Sequence, residues 1–148
     1  MTNEEKDLLL EDLVSRLPYG VRGFYKTSGI EIINQKLTYD IIGNLEYKNN
    51  IEFNPYLFPL SSMSEEQRKE FLKISHLENR SFNNGEEIVI VSNEVWMFDL
   101  GGDADAEYRS IDIKRIRETV KWLNKNHFDW RGLIPMGLAE DAAGLNIY

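Results

Sequence analysis

The chain contains no cysteine. That excludes a disulfide scaffold and any zinc site built on thiolates. Long apolar runs are missing too. The longest aliphatic run, Ile88 to Val91, has four residues, against the ~18 expected of a membrane span. The N-terminal stretch MTNEEKDLLLEDL is acidic. It lacks the basic start and extended apolar segment of a secretory signal. A cytoplasmic location is therefore the default expectation, with no membrane partner. Positive charge is scarce: 17 Lys and Arg face 25 Asp and Glu, a formal net charge of −8. This disfavours non-specific nucleic-acid binding but leaves room for a local basic patch. The phosphate-binding spacings G-x-G-x-x-G and G-x-x-x-x-G-K-[ST] and the nucleophile elbow G-x-S-x-G are all absent.

What is present is ordinary for a globular domain. Of 148 residues, 42% are hydrophobic and 11% aromatic, which excludes intrinsic disorder for most of the chain. The length predicts one domain, 1–148. By area scaling, folding would remove about 17,000 Å² from water, enough for a core without covalent staples.

Residues 3–17 predict a helix. Thr2 and Glu5 have capping-box spacing. Leu9, Leu10, Leu13, Val14 and Leu17 recur at helical intervals as one apolar face, and Pro18 and Gly20 end it. Val21–Lys26, Ile30–Ile33 and Leu37–Ile42 read as strands, rich in β-branched and aromatic residues. Thr27-Ser28-Gly29, Gly43-Asn44 and Asn49-Asn50 read as turns, and a short strand at Ile51–Phe53 closes a meander. Two prolines in NPYLFPLSS, 54–62, predict an aromatic loop lying across the core. A helix is expected at about 64–74, capped by Ser62 with Glu65 or Ser64 with Gln67. EIVIVS and EVWMF predict an antiparallel hairpin, and Leu100–Ala106 a loop. A third helix is expected at about 112–126, capped by Ser110 or Asp112, with the apolar stripe Ile113, Ile116, Val120 and Leu123. The tail should hold a helical turn near 130–134 and an irregular end.

Three segments carry a resemblance: EEKDLLLEDLVSRLPYGV at 4–21, NPYLFPLSSMSEEQRKEF at 54–71 and WLNKNHFDWRGLI at 122–134. Together they resemble a family of small uncharacterised proteins of Bacteroides-type gut bacteria, their phages and mobile elements. The similarity spans the start, middle and end of the chain. It implies a biological setting and no catalytic residues.

Four constellations have the residue types for chemistry. Asp99, Asp103, Asp105 and Glu107 form an acidic loop, the set of weak metal-ligand candidates. An EF-hand loop starting at Asp103 would need Gly and Glu where Tyr108 and Lys114 stand. A solvated loop without structural metal is the expectation. His127 and Asp129 can be written into a Ser-His-Asp set. The preferred reading is a partly buried helix-end histidine whose positive form would suit the helix C-terminus. Leu100-Gly101-Gly102-Asp103 sits between strand and helix, but its carboxylates would repel a phosphate. Lys114, Arg117, Lys121 and Lys125 make one basic helical stripe, read as a solvated face. Trp122 falls about 130° from the apolar stripe. It is covered by the tail with Phe128 and Trp130, or it forms an exposed partner anchor with Trp130.

The expected fold is α+β: a small antiparallel meander and a β-hairpin packed with three helices, then an irregular tail. The expected function is a non-enzymatic accessory or protein-interaction module of phage or mobile-element origin, without cofactor. Its partner is a protein of unknown identity. The alternatives are a small metal-dependent enzyme using the 99–107 loop, and an acidic inhibitor or immunity-type protein that neutralises a basic partner.

Overall fold

The computed structural model describes residues 1–75, 86–90, 95–100, 107–110 and 113–148. The fold is α+β. The chain divides into two compact units, Met1–Pro59 with His127–Tyr148, and Leu60–Asn126.

In the first unit, helix α1 covers Asn3–Arg16. The Thr2 hydroxyl accepts from the Glu5 amide, and the Glu5 carboxylate accepts from the Thr2 amide, satisfying two otherwise free N–H groups. A 3-10 turn over Leu17–Tyr19 follows, and Gly20 takes a φ of 68° to end it. Leu9 and Leu13 are buried, whereas Val14, expected on the apolar face, is exposed. Asp12 and Arg16 occupy the buried side in its place.

Strands β1 (Arg22–Thr27) and β2 (Ile30–Lys36) form an antiparallel hairpin through a turn at Gly29, φ 86°. Strand β3 (Glu52–Leu57) pairs with β1 antiparallel, and a two-residue strand β7 (Glu140–Asp141) pairs with β3 in parallel. The order is therefore β2-β1-β3-β7. A bulge between Gly23 and Tyr25 shifts the β1–β2 register. Opposite it, Asn34 adopts φ 66°, and the Arg22 guanidinium holds both the Asn34 side-chain oxygen and its carbonyl.

Two expectations for this unit are corrected. Leu37–Ile42 is not a strand. Thr38 caps helix α2, Tyr39–Tyr47, by accepting from the Ile41 amide. Gly43 and Asn44 lie inside this helix and are not a turn. The β-branched pair Ile41-Ile42 has the composition of a strand. Burying Ile41 and Leu45 on one helical face outweighs that preference. Gly43 in the middle costs the helix about 0.5–1 kcal/mol relative to alanine. The second correction concerns Pro55, which sits within β3 rather than in a loop. It faces Gly23 of β1, while pairing with β7 begins only at Tyr56, so proline occupies the unpaired stretch of that edge. Tyr56 and Leu57 are buried, as expected of a segment lying across the core.

The C-terminal segment completes the unit. The Phe58 amide donates to the His127 carbonyl and the Asp129 amide to the Phe58 carbonyl, each at 2.8 Å. The Ala142 amide donates to the Leu57 carbonyl, also at 2.8 Å. Leu133, Leu138 and Ala139 join Leu9, Leu13, Val21, Leu45 and Phe53 in one core.

In the second unit, helix α3 (Glu65–Ile74) starts with a capping box of Ser64 and Gln67, one of the two pairs foreseen. Strands β4 (Glu86–Ile90), β5 (Val95–Leu100) and β6 (Glu107–Ser110) form an antiparallel sheet in that order. The expected hairpin is β4–β5; β6 is an addition. Helix α4 covers Ile113–Lys125. Phe71 of α3 packs against Trp122 of α4 with ring centroids 5.9 Å apart, and Leu123 is fully buried.

Candidate interaction surface

The first unit contains a buried charged centre. Arg16 Nε donates to Asp12 Oδ2 at 2.6 Å, one helical turn away, with both side chains inaccessible to solvent. Arg16 Nη2 donates to the Phe128 carbonyl at 2.8 Å, tying α1 to the C-terminal segment. Arg131 lies 3.4 Å from Asp12 Oδ1, reaches Glu11 at 2.9 Å and rests over the Trp130 ring. A buried pair in this geometry orients elements more than it stabilises them.

His127 follows α4 with φ 60° and stacks on Tyr148, ring centroids 3.7 Å apart and nearly parallel. Burial first, and the Arg16 charge second, hold its pKa down to about 4. The helix-end histidine is buried, as expected, and at neutral pH the ring is uncharged, because both low polarity and a neighbouring cation oppose protonation. Nor does Asp129 orient His127. Its two oxygens accept from the Leu133 and Ile134 amides, each at 2.8 Å, and so build the turn that follows. The Tyr148 hydroxyl donates to the Tyr56 carbonyl at 2.8 Å and accepts from the Arg22 amide at 3.0 Å. Burial pushes its pKa up to about 12. His127 and Tyr148 thus act as a clasp between the C-terminal segment and the sheet. A general base needs a partner that orients it toward a proton; Asp129 and Tyr148 are committed to backbone, and the buried His127 Nδ1 has no hydrogen-bond partner among the described residues.

The residues singled out from sequence fall in several places. Trp122 and Trp130 are each only 8% exposed, so neither is presented as an anchor. They belong to different units. Of the basic stripe, Arg117, Lys121 and Lys125 are exposed on α4, while the Lys114 side chain lies outside the described residues. Asp99 sits in β5 opposite Glu87, and Glu107 in β6 opposite Phe98. Asp103, Asp105, His76, Gly101 and Gly102 lie outside the described residues, as do the 91–94 and 111–112 connections. Among the described residues no group of three or more His, Asp or Glu side chains is placed to hold a metal ion. Among them, too, no helix is long and apolar enough to cross a membrane.

The exposed apolar surface of the first unit lies elsewhere. Among the described residues strand β2 ends the sheet, and none of their strands pairs with its outer side. Ile30, Ile32 and Ile33 along it are 54%, 38% and 74% exposed. Tyr39 and Tyr47, at the two ends of α2, are both 81% exposed. A groove of about 490 Å³ opens between α1, α2 and β3, with Leu10, Leu45 and Ile51 in its walls and Lys6 and Lys48 at its rim. Lys6 Nζ donates to the Glu46 carbonyl across it at 3.1 Å.

Sequence reasoning passed over β2 and α2 as surfaces. One signal was available in the adjacent pair Ile32-Ile33: neighbours in a strand point to opposite faces, so a sheet with one buried face must expose one of them. The α2 tyrosines become visible only once 39–47 is recognised as helix. Compared with known proteins, the chain matches no family model, no curated protein and no solved structure.

Proposed function

We propose that this protein is a non-enzymatic protein-interaction module that captures an extended segment of a partner protein on the open edge of β2. The observation that carries this reading is the run of exposed isoleucines on a strand paired along one edge only. Such an edge offers free backbone donors and acceptors, and proteins usually cover or charge it. Here its pairing is regular over Ile30–Ile32, and Ile33 lies where the bulge interrupts it. A partner would therefore add a short strand and fill the isoleucine positions with apolar side chains. The commitment of Asp129 and Tyr148 to structural bonds agrees with a role without catalysis. A setting in the cytoplasm of a phage-bearing or mobile-element-bearing bacterium is the part of the proposal that rests on sequence resemblance. The acidic-inhibitor reading is a special case in which the partner is basic, favoured by the net charge of −8.

In-cell cross-linking in the native host, read by mass spectrometry, tests it. Wild type should enrich a defined protein that Ile30→Lys/Ile33→Lys fails to recover, with the variant still folded. Recovery of the same protein by both chains would place the site elsewhere.

A further inference from the structure

Helix α2 has an outer face that its own fold does not use. At ~100° per residue, Tyr39, Gly43 and Tyr47 line up on the side opposite the buried Ile41 and Leu45. Asp40 and Asn44 form a second row beside them, followed by the extended C-cap residue Lys48, and the six residues line one shallow depression. Gly43 is the informative residue. It has an ordinary helical φ, and a Cβ built on it would meet nothing within 4 Å. No neighbour among the described residues requires glycine there, although glycine weakens the helix. The space between the two tyrosines is open toward solvent.

We propose that this face binds a second copy of the same chain, α2 against α2, antiparallel about a two-fold axis passing between Gly43 and Asn44. In such an isologous contact each row meets its own reverse on the partner. Tyr39 of one copy lies beside Tyr47 of the other, and Asp40 lies beside Lys48. Gly43 meets Gly43 and Asn44 meets Asn44 at the crossing, where the missing side chain of glycine lets the helices approach. The Asp40–Lys48 pair is opposite in sign and occurs twice by symmetry. The match is specific to self-association, since the complementarity is between the two ends of one helix. Four tyrosines at roughly 150–250 Å² each cover on the order of 600–1,000 Å², below the ~1,600 Å² of a standard stable interface. The dimer is accordingly weak and concentration-dependent. This surface is separate from the β2 edge, so the two proposals fail independently.

Sedimentation equilibrium of the full chain from low micromolar to about 1 mM tests the inference. Wild type should rise from the 17.3 kDa monomer toward twice that mass. Asp40→Lys and Lys48→Asp, each alone, place like charges together at both pairs and should weaken association at least tenfold. An equimolar mixture of the two variants restores opposite charges at both pairs and should associate as wild type does. Gly43→Gln should fill the crossing and abolish the dimer, while the dilute monomer melts at or above the wild-type temperature. Ile30→Lys/Ile33→Lys should leave association unchanged. A chain that stays monomeric up to 1 mM overturns the proposal. So does a mixture no better than either single variant, or a dimer that survives Gly43→Gln.

Discussion

Asp12 and Arg16 show how a single pair can depart from a helix's hydrophobic pattern. They stand on the buried side of α1 with no solvent access, where a lone charge would be strongly destabilising. Asp12→Leu alone should therefore destabilise the protein by about 3–5 kcal/mol, because Arg16 is left buried without its counter-ion. Asp12→Leu/Arg16→Met should recover most of that loss. Urea unfolding of the two variants checks this, and equal losses would show that the pair is not coupled. His127 supplies a second prediction at this scale. Its pKa is about 4 when folded, against 6.5 for an ordinary histidine. Between those values the unfolded chain binds the extra proton. Stability is thus fully present above pH 6.5 and falls as pH drops toward 4, by up to about 3 kcal/mol. In His127→Asn, which accepts the same left-handed backbone, the difference in urea midpoint between pH 7 and pH 4.5 should shrink. An unchanged difference would mean that the acid sensitivity arises elsewhere.

At the scale of elements, helix ends were legible and helix identity was not always so. Thr2 with Glu5 and Ser64 with Gln67 announce α1 and α3 because capping is local chemistry, settled within four residues. Ser64→Ala should cost about 1 kcal/mol in thermal or urea unfolding. Helix α2 was masked by Ile41-Ile42, and β3 by Pro55. In both cases the deciding energy comes from residues distant in sequence. The β1–β3 contact has its own signature in Gly23. A Cβ there would meet the Asn54 carbonyl at 2.5 Å and the Phe53 ring at 2.7 Å. Gly23→Ala should destabilise by about 1–3 kcal/mol, because a backbone carbonyl in a paired strand cannot step aside. A neutral effect in denaturant titration would show that β1 and β3 separate more readily than this spacing implies.

On the scale of the whole molecule, the first unit joins residues from both ends of the chain. The apolar cluster Phe128, Trp130, Leu133 and Ile134 had pointed to a tail within the core, and Leu133 is fully buried among α1 and β3 residues. Trp130→Ala should cost about 3–5 kcal/mol, a large share of the ~5–15 kcal/mol that holds a typical domain. Its melting temperature should fall sharply, or soluble expression should fail. Melting within a degree or two of wild type would detach the tail from the core.

The amino-acid sequence alone determined the α+β class, helices α1 and α3 with their caps, helix α4, the β4–β5 hairpin and the apolar character of the tail. Each of these follows from local periodicity, turn chemistry or composition, which need no knowledge of distant residues. Tertiary structure decided which strands became neighbours, that 39–47 is a helix, and that Asp12, Arg16 and His127 are buried while Val14, Ile33, Tyr39 and Tyr47 are exposed. Burial is a property of what packs against a residue. The α2 and β2 surfaces are defined by what the rest of the fold leaves uncovered, and no window of sequence contains that information.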